Sequence, residues 1–122
     1  MAIDDLFAAL KKRMLDMEGT LRARINTDMQ VELAGKKEVM QGKQKVDGHY
    51  FASIVKKPGD VRFYFFPIYT HVDEFPEIPE PMQKRLKGKS CFHIKKSDAD
   101  ELHHITDLMQ KGLELYIGDG LV

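Results

Sequence analysis

The chain has a single cysteine, Cys91, so it can form neither an internal disulfide nor a cysteine-rich zinc module, which fits a reducing compartment. It also lacks a surplus of charge. Nineteen basic and nineteen acidic side chains cancel, leaving no overall field to draw the domain to nucleic acid or an anionic membrane. No apolar run approaches the roughly 20 residues of a membrane span. Met1–Gly19 carries acids and bases where a signal peptide would be apolar. These absences lead us to expect a cytoplasmic protein that binds neither nucleic acid nor membrane. A glycine-rich phosphate loop, a nucleophile elbow, a CxxC pair and an HExxH helix are missing too, so the common motif-bearing enzyme classes gain no support. A site assembled from distant residues would leave no such trace.

What is present suffices for a core. Apolar residues make up 43% of the 122 positions and charged residues 31%, a balance that folds and stays in solution. From Ile3, the residues Leu6, Phe7, Leu10, Met14, Met17 and Leu21 recur at three- and four-residue steps, predicting an amphipathic helix that Gly19 ends. Met29, Val31 and Leu33 then alternate with Gln30, Glu32 and Ala34, predicting a half-buried strand closed by Gly35. Glu38–Lys45 is a weaker strand with Gly42 as its bulge. Tyr50–Lys57 and Val61–Tyr69, joined by Pro58-Gly59-Asp60, predict a hairpin. The consecutive aromatics Phe63 to Phe66 make both faces of its second strand apolar, as a central strand requires.

Thr70–Pro81 reads as an acidic, proline-stiffened loop, Pro81–Leu86 as a short helix and Ser90–Lys95 as another strand. Ser97 stands where an N-cap belongs, ahead of a closing helix that runs to about Ile117 on Leu102, Ile105, Leu108, Met109 and Leu113. The expectation is one α+β domain over residues 1–122, with a single mostly antiparallel sheet of about five strands and both terminal helices on one face.

Four clusters could carry chemistry. His71, Asp73, Glu74, Glu77 and Glu80 offer oxygen ligands and one imidazole to a hard cation such as Fe²⁺ or Mn²⁺, although their spacing matches no metal motif and a solvated acidic loop is the simpler explanation. His103 and His104 point about 100° apart on a helix and cannot share one metal, although one could face a pocket; His71 or His103 could serve as a general base. Cys91 and His93 share one strand face, and no third ligand for a soft metal is visible beside them. Lys84, Arg85, Lys87, Lys89, Lys95 and Lys96 form an acid-free run suited to a phosphate-bearing ligand or an acidic partner. The aromatic hairpin adds a possible ligand pocket from Tyr50, Tyr64, Phe66 and His104, or a homodimer face.

The run Tyr50-Phe51-Ala52-Ser53-Ile54, the strand ending Phe65-Phe66-Pro67, the segment Leu86-Lys87-Gly88-Lys89-Ser90 leading into Phe92-His93-Ile94, and the final helix with Leu102, Ile105 and Leu108 resemble the YdhG-like family of bacterial domains. The resemblance covers roughly residues 48–117 and rests on weak positions rather than an invariant site. It implies a small α+β domain with an antiparallel sheet and flanking helices. It also implies a mostly unassigned function, some members being described as frataxin-like intracellular iron chaperones. Iron would then be the metal, and Asp73, Glu74 and Glu77 the place to look for it. Val39–Gly48 departs from the family pattern, having neither the proline nor the aromatic residue found ahead of the hairpin. The leading expectation is a small non-enzymatic binding domain for a small ligand, a metal ion or a protein partner. An enzyme with a dispersed site is the alternative.

Overall fold

The computed structural model describes residues 2–75, 78, 80–88, 90–95 and 99–122. Glu77, Lys89, Lys96 and Ser97, all singled out above, lie outside the described residues, and so do the side chains of Glu80, Asp100 and Glu101.

Helix α1 spans Ile3–Leu15 and buries Leu6, Phe7, Leu10 and Met14, the stripe its periodicity predicts. Asp4 and Asp5 stand beside its positive N-terminal end and Lys12 and Arg13 beside its negative end, the favourable arrangement at both. It stops four residues before Gly19, whose φ of 104° turns the chain through the left-handed region. Leu21 is buried, but in the turn that follows the helix.

The strands are β1 (Arg22–Asn26), β2 (Gln30–Ala34), β3 (Val39–Gln41), β4 (Gln44–Val46), β5 (Tyr50–Lys56), β6 (Val61–Phe65), β7 (Leu86–Lys87) and β8 (Cys91–Ile94). Six of them make one antiparallel sheet in the order β1-β2-β5-β6-β8-β7, so the aromatic strand β6 is interior, as its two apolar faces require. Two strands were not expected there. β1 is an edge strand with only Ala23 and Ile25 as apolar residues, and β7 has two residues joined to β8 through Gly88, φ 71°. The expected strand at 38–45 is instead a separate small hairpin, β3 with β4, and Gly42, φ 63°, sits in its turn rather than in a bulge.

The main hairpin turns at Pro58-Gly59, closed by the Lys57 N–H donating to the Asp60 carbonyl at 2.8 Å. Strand β6 ends at Phe65, earlier than expected, because Pro67 opens the short helix α2 (Pro67–Thr70). A single 3-10 turn at Val72–Glu74 and the four-residue helix α3 (Glu80–Gln83) follow. Helix α4 then runs over Ala99–Gly118.

Both long helices cover the same face of the sheet. Val31, Leu33, Ala52, Ile54, Phe63, Phe65, Phe92 and Ile94 point into the core and meet Leu6 and Leu10 of α1 and Ile105, Met109 and Tyr116 of α4, all essentially without exposed surface. Ring contacts link them: Phe63 stacks between Phe65 at 5.6 Å and Phe92 at 5.8 Å, and Phe51 meets Tyr116 edge-on at 5.3 Å. No helix among the described residues is long and apolar enough to cross a membrane.

At Gly112 α4 lies tight against the sheet side of the core, since a β-carbon there would lie 2.7 Å from the Phe65 ring and 2.9 Å from Pro67. Alanine would add about 1 kcal/mol of helix propensity, whereas overpacking a core costs about 1–3 kcal/mol. Gly112→Ala is therefore expected to lower the urea midpoint of unfolding with an unchanged slope. A raised midpoint would show that the Phe65 ring and Pro67 yield without strain.

Candidate functional site

The sheet face opposite the helices carries a polar surface ordered by strand register. Paired residues read across the strands give two rows. One runs Glu32, Ser53, Tyr64, Cys91, Lys87, and the other Gln30, Val55, Arg62, His93. Strict alternation places them there, because their neighbours Val31, Ile54, Phe63 and Phe92 fill the core.

Tyr50 reaches this face by a different route. Leu33 pairs with Ala52 but Ala34 pairs with Tyr50, so Phe51 is an extra residue in β5 and forms a bulge. Alternation from Ala52 and Ile54 would have sent Tyr50 into the core. With the bulge, Phe51 turns inward and Tyr50 outward, where its hydroxyl meets Ser53 Oγ at 2.6 Å. Burial is the main reason the Tyr50 phenol is pushed up to about 12, with Glu32 and Tyr64 adding to it and the Ser53 hydrogen bond and Arg24 opposing.

The charges on this face are arranged in pairs. Arg24 donates from Nε to Glu32 at 3.0 Å, and Asp60 lies between Arg62 Nε at 3.4 Å and His93 Nδ1 at 3.8 Å. Cys91 sits beside Tyr64, whose hydrogen bond favours the thiolate, as does Arg62. Burial outweighs both and, with Asp60 adding to it, pushes the thiol up.

The aromatic chain continues from the open face around the end of the sheet. Tyr50 and Phe66 rings lie 5.4 Å apart and Phe66 and Tyr69 5.6 Å apart. Phe66 also meets His49 at 5.8 Å, and His49 and His71 both lie against Tyr116, at 5.0 and 5.9 Å. Of the expected pocket residues, Tyr50, Tyr64 and Phe66 thus belong to the open face and its end. His104 stands on α4, in the layer that covers the opposite face, and is not brought to them. Sequence reasoning missed Ser53, Glu32, Arg24, Arg62, Asp60 and His49. The alternation of β2, β5 and β6 carried a signal for Ser53, Glu32 and Arg62, whereas nothing local marked His49.

His71 is engaged on both ring nitrogens. Nε2 donates to Asp119 at 2.5 Å, since a carboxylate can only accept, and Nδ1 pairs with the Thr70 hydroxyl at 2.8 Å. This ties α2 to the end of α4. Asp73 and Glu74 are exposed on the 3-10 turn. Among the described residues no three His, Cys, Asp or Glu side chains stand close enough to hold a metal ion. His103, 73% exposed, pairs with Asp107 at 3.4 Å one turn along α4. The described part of the basic run follows the β7–β8 edge, with Lys84, Lys87 and Lys95 exposed.

No family model, curated protein or solved structure matches the chain.

The thiol of Cys91 is expected to react with iodoacetamide at pH 7.5 more slowly than glutathione, by roughly tenfold for each unit its pKa is raised. Guanidinium unfolding should abolish the difference. A native rate equal to that of the unfolded chain would mean that the face does not shield the thiol.

Proposed function

We propose that this chain is a small binding domain whose open sheet face receives a small planar molecule carrying an acidic group. The observation that supports this reading is the layered placement of side chains: both long helices cover one face, while the other presents two tyrosines, a buried serine, a thiol and a cationic edge. Tyr50, Tyr64 and Phe66 offer ring surfaces for stacking. Arg62 and Lys87 stand at the two strands flanking Cys91, suited to a carboxylate or phosphate. The hydroxyls of Tyr50 and Ser53 are hydrogen-bond formers of either sense and give orientation.

The test is an amide NMR titration with benzoate and with adenosine monophosphate as probes. Shifts concentrated at Ser53, Tyr64, Cys91 and His93 are expected, with affinity reduced at least about tenfold, or 1.4 kcal/mol, in Tyr64→Ala and in Lys87→Ala. Shifts confined to the helices, or none with either probe, would overturn the reading. Line broadening of the open face that grows with protein concentration would instead identify a second copy as the occupant. The iron-chaperone reading implied by the YdhG-like resemblance makes a separate demand. Anaerobic calorimetry with Fe²⁺ should then show uptake that Asp73→Ala/Glu77→Ala removes, and the absence of heat would end it.

A further inference from the structure

We infer that His49 is a proton-operated latch: when its ring takes up a proton, residues 119–122 and the last turn of α4 separate from the end of the sheet while the central strands stay paired. His49 follows the Asp47-Gly48 turn and enters β5 with its ring buried. The ring stands edge-on to Tyr116, with an interplanar angle of 87°, and tilted against Phe66. Its Nδ1 donates to the Tyr50 carbonyl at 3.1 Å, and the Tyr116 hydroxyl donates to the same oxygen at 2.6 Å. One carbonyl on the bulged strand therefore holds both the histidine and the end of α4.

The chain beyond α4 rests on the same spot. The Gly35 N–H donates to the His49 carbonyl at 2.9 Å, and a β-carbon at Gly35 would collide with the Leu121 carbonyl oxygen. A β-carbon at Gly48 would collide in turn with the Gly35 carbonyl. Leu121 is fixed by its N–H to the Tyr116 carbonyl at 2.9 Å. His49, Gly35, Tyr116 and Leu121 thus form one packed unit at the end of the sheet.

The charged groups around it do not compensate a proton on the ring. From α2 comes His71, a second imidazole against the same Tyr116, and from the end of α4 comes Asp119, which His71 already holds. From the turn before β5 comes Asp47, which Arg22 of β1 holds at 3.4 Å. Lys37 reaches the Gly120 region, its Nζ 3.9 Å from where a β-carbon would stand, and adds a positive charge. The phenols of Tyr50 and Tyr116 are held neutral by burial. Burial is also the largest influence on His49 itself and lowers its pKa, His71 acts in the same direction, and the Tyr50 carbonyl opposes them.

The sign follows by linkage. A released His49 returns to the ordinary value of 6.5, while the packed ring resists protonation, so the released form binds protons more tightly. The latch is secure above pH 6.5 and loosens as pH falls through that value toward the lowered one. Between pH 7.5 and 5.5 the opening equilibrium should rise by up to about tenfold.

Hydrogen exchange on the intact chain tests this. The Asp119, Gly120 and Leu121 amides, bonded to the carbonyls of Leu115, Ile117 and Tyr116, are expected to lose protection by up to about tenfold between pH 7.5 and 5.5, after correction for intrinsic rates. The Ile54 and Phe63 amides should hold theirs. His49→Gln, which keeps a donor, should flatten the response, and His71→Gln should leave it. Constant protection, loss in step with Ile54 and Phe63, or a response that survives His49→Gln would each overturn the latch. Should His49→Gln fail to fold, an NMR titration of the wild-type His49 ring decides, because a pKa at or above 6.5 contradicts it.

Discussion

One extra residue in β5 governs both the core and the open face. The bulge at Phe51 reverses the facing of everything before it on that strand. It sends Phe51 inward to meet Phe65 at 5.8 Å and Tyr116 at 5.3 Å, and so gives α4 its aromatic seat. The same shift turns Tyr50 outward to Ser53, and the Tyr50 carbonyl accepts from both Tyr116 and His49. A regular strand would have turned the Tyr50 phenol toward the core beside Ala52 and Phe65, away from the Ser53 hydroxyl it meets at 2.6 Å, and a buried hydroxyl left unpaired costs about 1–3 kcal/mol.

From that point the packing is determined by size. Strand β6 alternates Val61, Phe63 and Phe65 inward with Arg62 and Tyr64 outward, as β8 does, and as β5 does from Ala52 onward, past its bulge. Three phenylalanine rings side by side fill the space between sheet and helices, and at Gly112 α4 has no room for a β-carbon against Phe65. The polar face follows from the same register, since a strand that places its large rings on one side must place arginine, tyrosine and cysteine on the other.

Much of this was legible in the residues. The stripe of α1, the Pro58-Gly59 turn, the central position of β6 and the closing helix all rest on local periodicity or turn chemistry, and the structure has them within a few residues. The weak strands were not legible. Arg22–Asn26 has two apolar side chains and follows Leu21, which prolonged the helical pattern past its true end at Leu15. Leu86–Lys87 is too short for any period to show, and Val39–Val46 carries the signal of a strand without the length to say that it folds back on itself at Gly42. The open face was half legible: alternation gives Cys91 with His93 and Tyr64 opposite Phe63, but the Phe51 bulge, a tertiary feature, decides where Tyr50 goes. His49 was invisible because its role depends on Tyr116, 67 positions away, and on a glycine contact at Gly35.

The direction in which the open face shifts its titrating groups bears on what kind of site it is. A nucleophile or general base is useful when its pKa is drawn toward the working pH, which means a thiol or phenol moved down. Here burial moves the Tyr50 phenol up to about 12 and the Cys91 thiol up as well, so both stay protonated and neutral. The Arg24–Glu32 pair and the Asp60 contacts to Arg62 and His93 hold the charged groups in fixed partnerships. Neutral hydroxyls and a neutral thiol, fixed in rows by strand register, donate and accept hydrogen bonds without exchanging protons with a substrate. That chemistry favours recognition over turnover, and it is why the binding reading is preferred to a dispersed catalytic site built on His71 or His103, one locked between Thr70 and Asp119 and the other exposed to solvent.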